Sequence, residues 1–393
     1  MSRNTTNDPS RTVSRRTAVR AAGVTLAAGV LAGGASVAAD AATGAAARSA
    51  ARRTLKAPAL TPLQMAGQRV IFSYSGLTVP QSLLHQISAG LAGGVIFYGS
   101  NISSLSQIRA VCRQLESARL ASPVKAPLLL MTDQEGGEVR RLPGAPVLSE
   151  KQIGESAHPQ AEAAAAGQGA GKLLASVGMN VNLAPVLDVF RQPGDFDDQF
   201  QRSYSMNPRV CAECGSAFIA AQQRAGVAAT AKHFPGLGAA AASQNTDVEP
   251  VTLNVSLRDL RAIDELPYPS AIHAGVKLVM CSWAVYPALD ARLPAGLSPR
   301  IVQQELRGRL GFRGVTITDA LEAGALARFG GTAQRSVMAA KAGMDVILAA
   351  SQDVSQGEAA VTSLASALQH GQLPQGPFRA AVARIISLRS GLH

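Results

Sequence analysis

The strongest constraint on this chain is a rhythm. From Leu60 onward, a short apolar run, a loop with polar residues or glycine, and a helix-like stretch follow one another, and the unit recurs eight times. The runs are Arg69–Tyr74, Gly94–Tyr98, Pro127–Thr132, Met179–Leu183, Val227–His233, Lys277–Trp283, Gly314–Thr318 and Met344–Leu348. Between them, apolar spacing predicts helices near 80–91, 103–120, 159–177, 208–225, 256–274, 299–310 and 332–342, with more helix after 356. Ser256-x-x-Asp259 reads as a capping box, and Ser298-Pro299 as an N-cap followed by proline at the first helical position. Strands joined by crossover helices run parallel, and eight of them close a barrel. The expectation is an α/β chain with one (β/α)8 TIM-type barrel over residues 57–393 and no second domain. The rival is a doubly wound open sheet. Against it, no G-x-G-x-x-G follows the first run and no phosphate-binding P-loop occurs.

Composition matters at two points. Apolar residues make up 47 % and charged residues 16 %, enough for a large core and too few charges for wholesale disorder. The net charge of +11 would fit a nucleic-acid binder, but its distribution does not. Residues 1–56 hold nine Lys/Arg against two Asp/Glu, which is +7 of the total and leaves +4 for the remainder. That remainder shows no basic stripe and no interleaved aromatics, so no nucleic-acid partner is expected. Residues 1–41 read as an export signal of the twin-arginine type. Ser14-Arg15-Arg16-Thr17 precedes a small-residue apolar run from Ala21 to Ala39, and Ala39-Asp40-Ala41 fits a small-x-small cleavage site. Residues 42–56 read as a disordered spacer. The expected product is secreted, with no stable membrane span after cleavage. Cys211 and Cys214 form a C-x-x-C pair, but they recur with Phe218 and Ala221 at helical spacing, which favours a buried helix face over zinc. The pairing of the four cysteines and the oligomeric state are left open.

In a barrel of this type, chemistry collects at the carboxyl ends of the strands. Asp133, Glu135, Arg140 and Arg141 follow the third run, and Asp188 and later Arg202 follow the fourth. Lys232-His233 ends the fifth, and Asp319 follows the seventh. Each has a bland reading. Asp188 could cap a loop, Glu135 could fix the Gly-Gly turn, Arg202 could merely pair with a carboxylate, and a lone histidine is most often structural. Four strand ends of this kind on one rim are harder to dismiss. Carboxylates with Arg, Lys and His donors suit the grip on sugar hydroxyls and the support of an oxocarbenium-like transition state.

At these residues the chain resembles the N-terminal barrel domain of glycoside hydrolase family 3, and within it the single-domain β-N-acetylhexosaminidases. The matching stretches are GGVIFYGSNI (93–102), TDQEGGEVRRL (132–142), GMNVNLAPVLDV (178–189), RSYSMNP (202–208), KHFPGLG (232–238), VYPALD (285–290), LRGRLGFRGVTITDAL (306–321) and AGMDVIL (342–348). They run in the family's order across the whole body. The resemblance implies that Asp319 is the nucleophile of a retaining exo-glycosidase acting on β-linked sugars, with cell-wall N-acetylglucosaminides the leading substrate. It implies that Asp133, Arg141, Arg202, Lys232 and His233 bind the sugar, and that no metal or organic cofactor is needed.

The resemblance also shows departures. In the hexosaminidases, the loop after KHFPG carries an Asp-x-His pair whose histidine is the general acid/base. Here Ser243 and Asn245 stand at those two positions. Neither shuttles a proton near neutral pH, and losing positioned proton transfer costs about 10²–10⁴-fold in rate. Asp247 or Glu249 in the same loop, Glu322 beyond the nucleophile, or the substrate itself are the remaining sources of an acid. Trp283 stands where a histidine is common, and Ala320 where an acidic residue is frequent. Two further readings stay open: a glycan-binding barrel that has lost its chemistry, and a barrel aldolase working through a Schiff base on Lys232.

Overall fold

The computed structural model describes residues 60–392; the expected export signal and spacer lie outside these residues. The eight apolar runs hold eight parallel strands. We label them β1 (Val70–Phe72), β2 (Gly94–Ile96), β3 (Leu129–Thr132), β4 (Val181–Asn182), β5 (Ala228–Phe234), β6 (Leu278–Cys281), β7 (Val315–Ala320) and β8 (Val346–Leu348). Each pairs with its neighbours in sequence, and β1 closes on β8 through Val70↔Ile347, so the sheet is the expected closed (β/α)8 barrel.

Parallel strands of a barrel are buried on both faces, which is why the runs are continuously apolar. Ile71, Ile96, Leu129, Met131, Leu278, Met280 and Ile317 fill the interior. Their alternates Val70, Phe72, Val95, Phe97 and Leu130 pack outward against the helices. Gly94 lies on the β2–β3 seam, where a Cβ would meet the Leu129 carbonyl oxygen at 2.1 Å, so no larger residue fits that register. At the amino ends of the strands, buried Asp345 takes Arg307 and Arg384, each at 2.6 Å, and ties β8 to the outer helices.

The helices differ in detail from their sequence-based bounds. The expected helix over 256–274 is broken: a turn at Leu257–Asp259 passes into a π-helical segment (Leu260–Asp264), and a separate helix runs over Pro267–His273. Pro267 has no N–H to continue the ladder and takes the first helical position instead. Ser256 caps the first turn by accepting from the Asp259 N–H, 3.1 Å, as the sequence predicts. The stretch 299–310 is π-helical over Arg300–Arg309. A short helix at Pro62–Gly67, capped by Thr61, has no counterpart in the sequence reading. Among the described residues, no helix is long and apolar enough to cross a membrane. All four cysteines are buried and unpaired, with Cys211 and Cys214 in the inner face of the helix Pro208–Arg224, as the helical spacing implies.

Candidate active site

At the carboxyl ends of the strands, loops wall in a cavity of about 210 Å³. Asp133, Arg141, Arg202, Lys232, His233 and Asp319 all line it, so the six site residues expected from sequence meet in one place. A larger cavity of about 500 Å³, lined by Lys277, Phe312, Gly314 and Leu388, lies at the opposite end of the barrel, beside the starts of β6 and β7.

Each side chain arrives by a different local device. Asp133 directly follows β3. The chain then folds back as a small hairpin, Gln134–Gly136 against Val139–Arg140, turning through Gly136 (φ 122°) and Gly137 (φ 54°), a left-handed stretch that favours glycine. The return brings the Arg141 N–H to 3.3 Å from the Asp133 carbonyl. The Arg141 Nε is buried without any partner, which is costly unless a ligand supplies one. Lys232 and His233 stand in the last turns of β5, and Asp319 is the penultimate residue of β7.

Behind the cavity wall the charges are tightly paired. Glu135, 1 % exposed, accepts two bonds from Arg202 (2.8 and 2.9 Å) and faces Lys232 Nζ at 2.7 Å. Burial works against its charge, but the Arg202 and Lys232 cations outweigh burial and hold its carboxyl down at about 2. Lys232 also holds Asp133 at 2.7 Å. Burial would lower the Lys232 pKa, yet the two carboxylates raise it above the ordinary lysine value. An ammonium so held is protonated and lacks the free pair a Schiff base requires, which counts against the aldolase reading.

Asp188, fully buried, does cap a loop, and it also orients His233. It accepts the backbone N–H groups of His233 (3.2 Å) and Leu237 (2.6 Å), and His233 Nδ1 at 2.7 Å. Burial opposes both charges; the mutual attraction of the pair then lowers the Asp188 pKa and raises that of His233. Arg202 pairs as the bland reading has it, with Glu135 and with Asp197 at 3.3 Å, and lines the cavity as well.

Asp197 was not visible as a site residue in the sequence; the only trace is its place in an acidic cluster five residues before Arg202. It is 1 % exposed, and its Oδ2 has no partner. Burial, then the Asp188 charge, push its carboxyl up to about 7. The ligand atoms of Asp188, Asp197 and His233 lie within 4.8 Å of one another, a spacing that could gather a cation. The oxygens of Asp188, however, are already engaged by His233 and Leu237, and a protonated Asp197 fits its unpartnered oxygen. Because Asp197 binds its proton more tightly folded than unfolded, it contributes stability that is full below about pH 4 and is lost as pH rises to about 7. Denaturant melts of wild type and Asp197→Asn should show the wild type's relative stability declining across that window; a constant difference would contradict the assignment.

Asp319 is different. Among the described residues it has no ion-pair partner, and its Oδ1 accepts only the Ala320 N–H at 2.7 Å. Trp283, buried at 1 %, donates its Nε1–H to the Ala320 carbonyl at 2.8 Å, so the indole braces the backbone beside that carboxylate instead of entering the cavity as a proton carrier. Trp283→Phe removes one of two donors to that carbonyl, which keeps the Ala323 N–H at 3.2 Å, so it should cost about 0.5–1.5 kcal/mol and lower kcat more than it raises KM.

A closed barrel whose strand ends bring Asp319, without an ion-pair partner among the described residues, into one cavity with Asp133, Arg141, Arg202, Lys232 and His233 fits the class of carbohydrate-cleaving barrels. Residues 37–388 match the profile described as the glycosyl hydrolase family 3 N terminal domain, and the chain belongs to that family of O-glycosyl hydrolases. It is 48 % identical over 329 residues to a secreted glycosyl hydrolase of Arthroderma benhamiae, covering 83 % of this chain and 93 % of that one. It is 32 % identical to beta-hexosaminidase A of Pseudoalteromonas piscicida, covering 85 % of this chain and 62 % of the relative's length. The β-N-acetylhexosaminidase of Beutenbergia cavernae superposes with a TM-score of 0.76 at 31 % identity, over 84 % of this chain and 99 % of that one. The family 3 β-N-acetylglucosaminidase of a Paenibacillus strain superposes at 0.80 with 32 % identity, over 85 % of this chain and 63 % of that one.

Proposed function

We propose that the chain is a retaining exo-glycosidase that removes a terminal β-linked N-acetylglucosamine from cell-wall-derived glycan through a covalent ester on Asp319. The observation that carries the reading is the Asp319 carboxylate, which lines the cavity and, among the described residues, meets no cation. A group already engaged in an ion pair would make a poor nucleophile, and every other carboxylate named above in the inner wall is engaged or holds a proton. The cavity volume, below the ~300–1,000 Å³ of pockets that enclose drug-sized ligands, fits one sugar ring and hence attack at a chain end. The unpartnered Arg141 Nε and the Asp133, Arg202, Lys232 and His233 group are suited to the ring's hydroxyls. N-acetylglucosamine is supported by the names of the relatives. Secretion is supported by the secreted Arthroderma relative, and the twin-arginine route by Ser14-Arg15-Arg16-Thr17 alone.

The test is a panel of 4-nitrophenyl and 2,4-dinitrophenyl β-glycosides carrying N-acetylglucosamine, glucose and xylose. Release from the N-acetylglucosaminides alone is expected. Release from another sugar would replace the substrate, and saccharide binding without release from any would favour a barrel that keeps its pocket and lacks turnover.

A further inference from the structure

We infer that Asp247, on the loop between β5 and the turn at Leu257–Asp259, is the general acid/base that works opposite Asp319. The inference rests on the glycosidase reading above and supplies the proton carrier that the loop's Ser243 and Asn245 cannot.

Three carboxyls could take this role by sequence, and their positions separate them. Glu322 does not line the cavity; its Oε2 accepts from the Ala350 N–H (3.3 Å) and Gln356 Nε2 (3.2 Å). Glu249 is exposed and lies outside the lining. Asp247 lines the cavity together with Asp319.

The loop is built to hold Asp247 there. Its carbonyl accepts the Gly324 N–H at 2.8 Å, and the carbonyl of buried Thr246 accepts the Ala325 N–H at 3.0 Å. These bonds dock the loop onto the segment that follows β7, the strand of the nucleophile. The approach is so close that a Cβ on Gly324 would meet the Val248 carbonyl oxygen at 2.0 Å. Asn245 turns the chain just before Asp247. Its Oδ1 accepts the Asp247 N–H at 2.8 Å, and its carbonyl accepts the N–H groups of Val248 (3.1 Å) and Glu249 (3.0 Å). The residue that stands in place of the family's histidine has thus become the turn that sets Asp247, two positions on, at the cavity mouth.

The carboxyl's surroundings suit the task. Asp247 as a residue is exposed to the cavity mouth, but its carboxyl is crowded by the wall. That burial, then the negative charge of Asp319, push it up to about 6. A carboxylic acid of that strength is protonated in part near neutral pH, which is what the acid half of a retaining pair needs. In the first step an Asp319 oxygen bonds to C1 and the C1–O bond to the leaving group breaks. The leaving oxygen keeps that electron pair and takes the Asp247 proton. In the second step water bonds to C1, its proton passes to the Asp247 carboxylate, and the C1–O bond to Asp319 breaks with the pair returning to that carboxylate. One water is consumed, and both carboxyls end as they began.

The test uses the full chain and Asp247→Ala and Asp247→Asn variants on N-acetylglucosaminides whose leaving groups run from 2,4-dinitrophenol to phenol. The backbone bonds that dock the loop survive either substitution, and a thermal melt checks the fold. For Asp247→Ala, phenyl glycoside cleavage should fall about 10²–10⁴-fold. The first turnover of the dinitrophenyl glycoside should be nearly unchanged and followed by a slow steady state. Sodium azide should restore that steady state and yield the β-glycosyl azide. The alkaline limb of the wild-type kcat/KM profile, where activity is lost as pH rises through about 6, should flatten in Asp247→Asn. An equal loss on every leaving group without azide rescue would overturn the assignment alone. A wild type silent on every glycoside would overturn the glycosidase reading and this inference together.

Discussion

Asp319→Asn is expected to lower turnover on every aryl glycoside by about 10⁴–10⁶-fold, the scale seen when a covalent nucleophile is removed, without loss of the fold. The carboxylate forms no ion pair among the described residues, and its single bond accepts the Ala320 N–H. An amide oxygen can accept that bond, so the protein's melting temperature should stay within a degree or two. Saccharide binding should persist, because Asp133, Arg141 and Lys232 are untouched. Steady-state release and a binding isotherm on one preparation measure both halves. Retained turnover would contradict the nucleophile assignment; lost binding would mean that Asp319 serves the fold or the grip instead.

Arg202→Ala should be the most destabilising single change at the site, by about 3–5 kcal/mol. Arg202 satisfies both oxygens of Glu135 and pairs with Asp197, all three at the back of the cavity. Removing it leaves a buried carboxylate with Lys232 as its remaining partner, and Lys232 must then hold Asp133 less firmly. The pH dependence follows in sign. The folded Glu135 carboxyl titrates near 2, below its ordinary range, so its contribution is full above about 4.5 and is lost as pH falls toward 2. The wild type should lose stability through that window more steeply than the variant. Adding Glu135→Gln to Arg202→Ala should recover part of the loss, since the uncompensated charge goes with it. Chemical denaturation of the three proteins between pH 3 and 7 checks both statements. A loss below about 1 kcal/mol would mean that the pair is solvent-screened.

The barrel was legible because its strands are buried on both faces, so Val70-Ile71-Phe72 or Leu278–Cys281 stand out as unbroken apolar runs. The site was legible where a charge sits at the end of such a run, as with Lys232, His233 and Asp319. What pattern could not reveal depends on the loops. Nothing in the residues between Gly236 and Pro250 says that Asp247 lines the cavity with Asp319 while Glu249 lies outside it; the loop's docking bonds from Gly324 and Ala325 go with that placement. Asp197 was missed because its partner Arg202 and its neighbour Asp188 are brought to it only by folding. The double role of Arg202, paired and cavity-lining, is likewise a property of the packed wall. The π-helical turns at Leu260–Asp264 and Arg300–Arg309 share the apolar spacing of ordinary helices and differ only in how the backbone is wound.

The most direct test of the covalent mechanism is to find the ester. The wild-type protein is mixed with 5-fluoro-β-N-acetylglucosaminyl fluoride, which forms the glycosyl-enzyme faster than it lets water release it, then quenched in acid, digested and mapped by mass spectrometry. One fluorosugar on the peptide containing Asp319, absent from Asp319→Asn, is the expected result. A turning-over enzyme with no modified peptide, or with the sugar on another carboxylate, would contradict the assignment of Asp319 as the nucleophile.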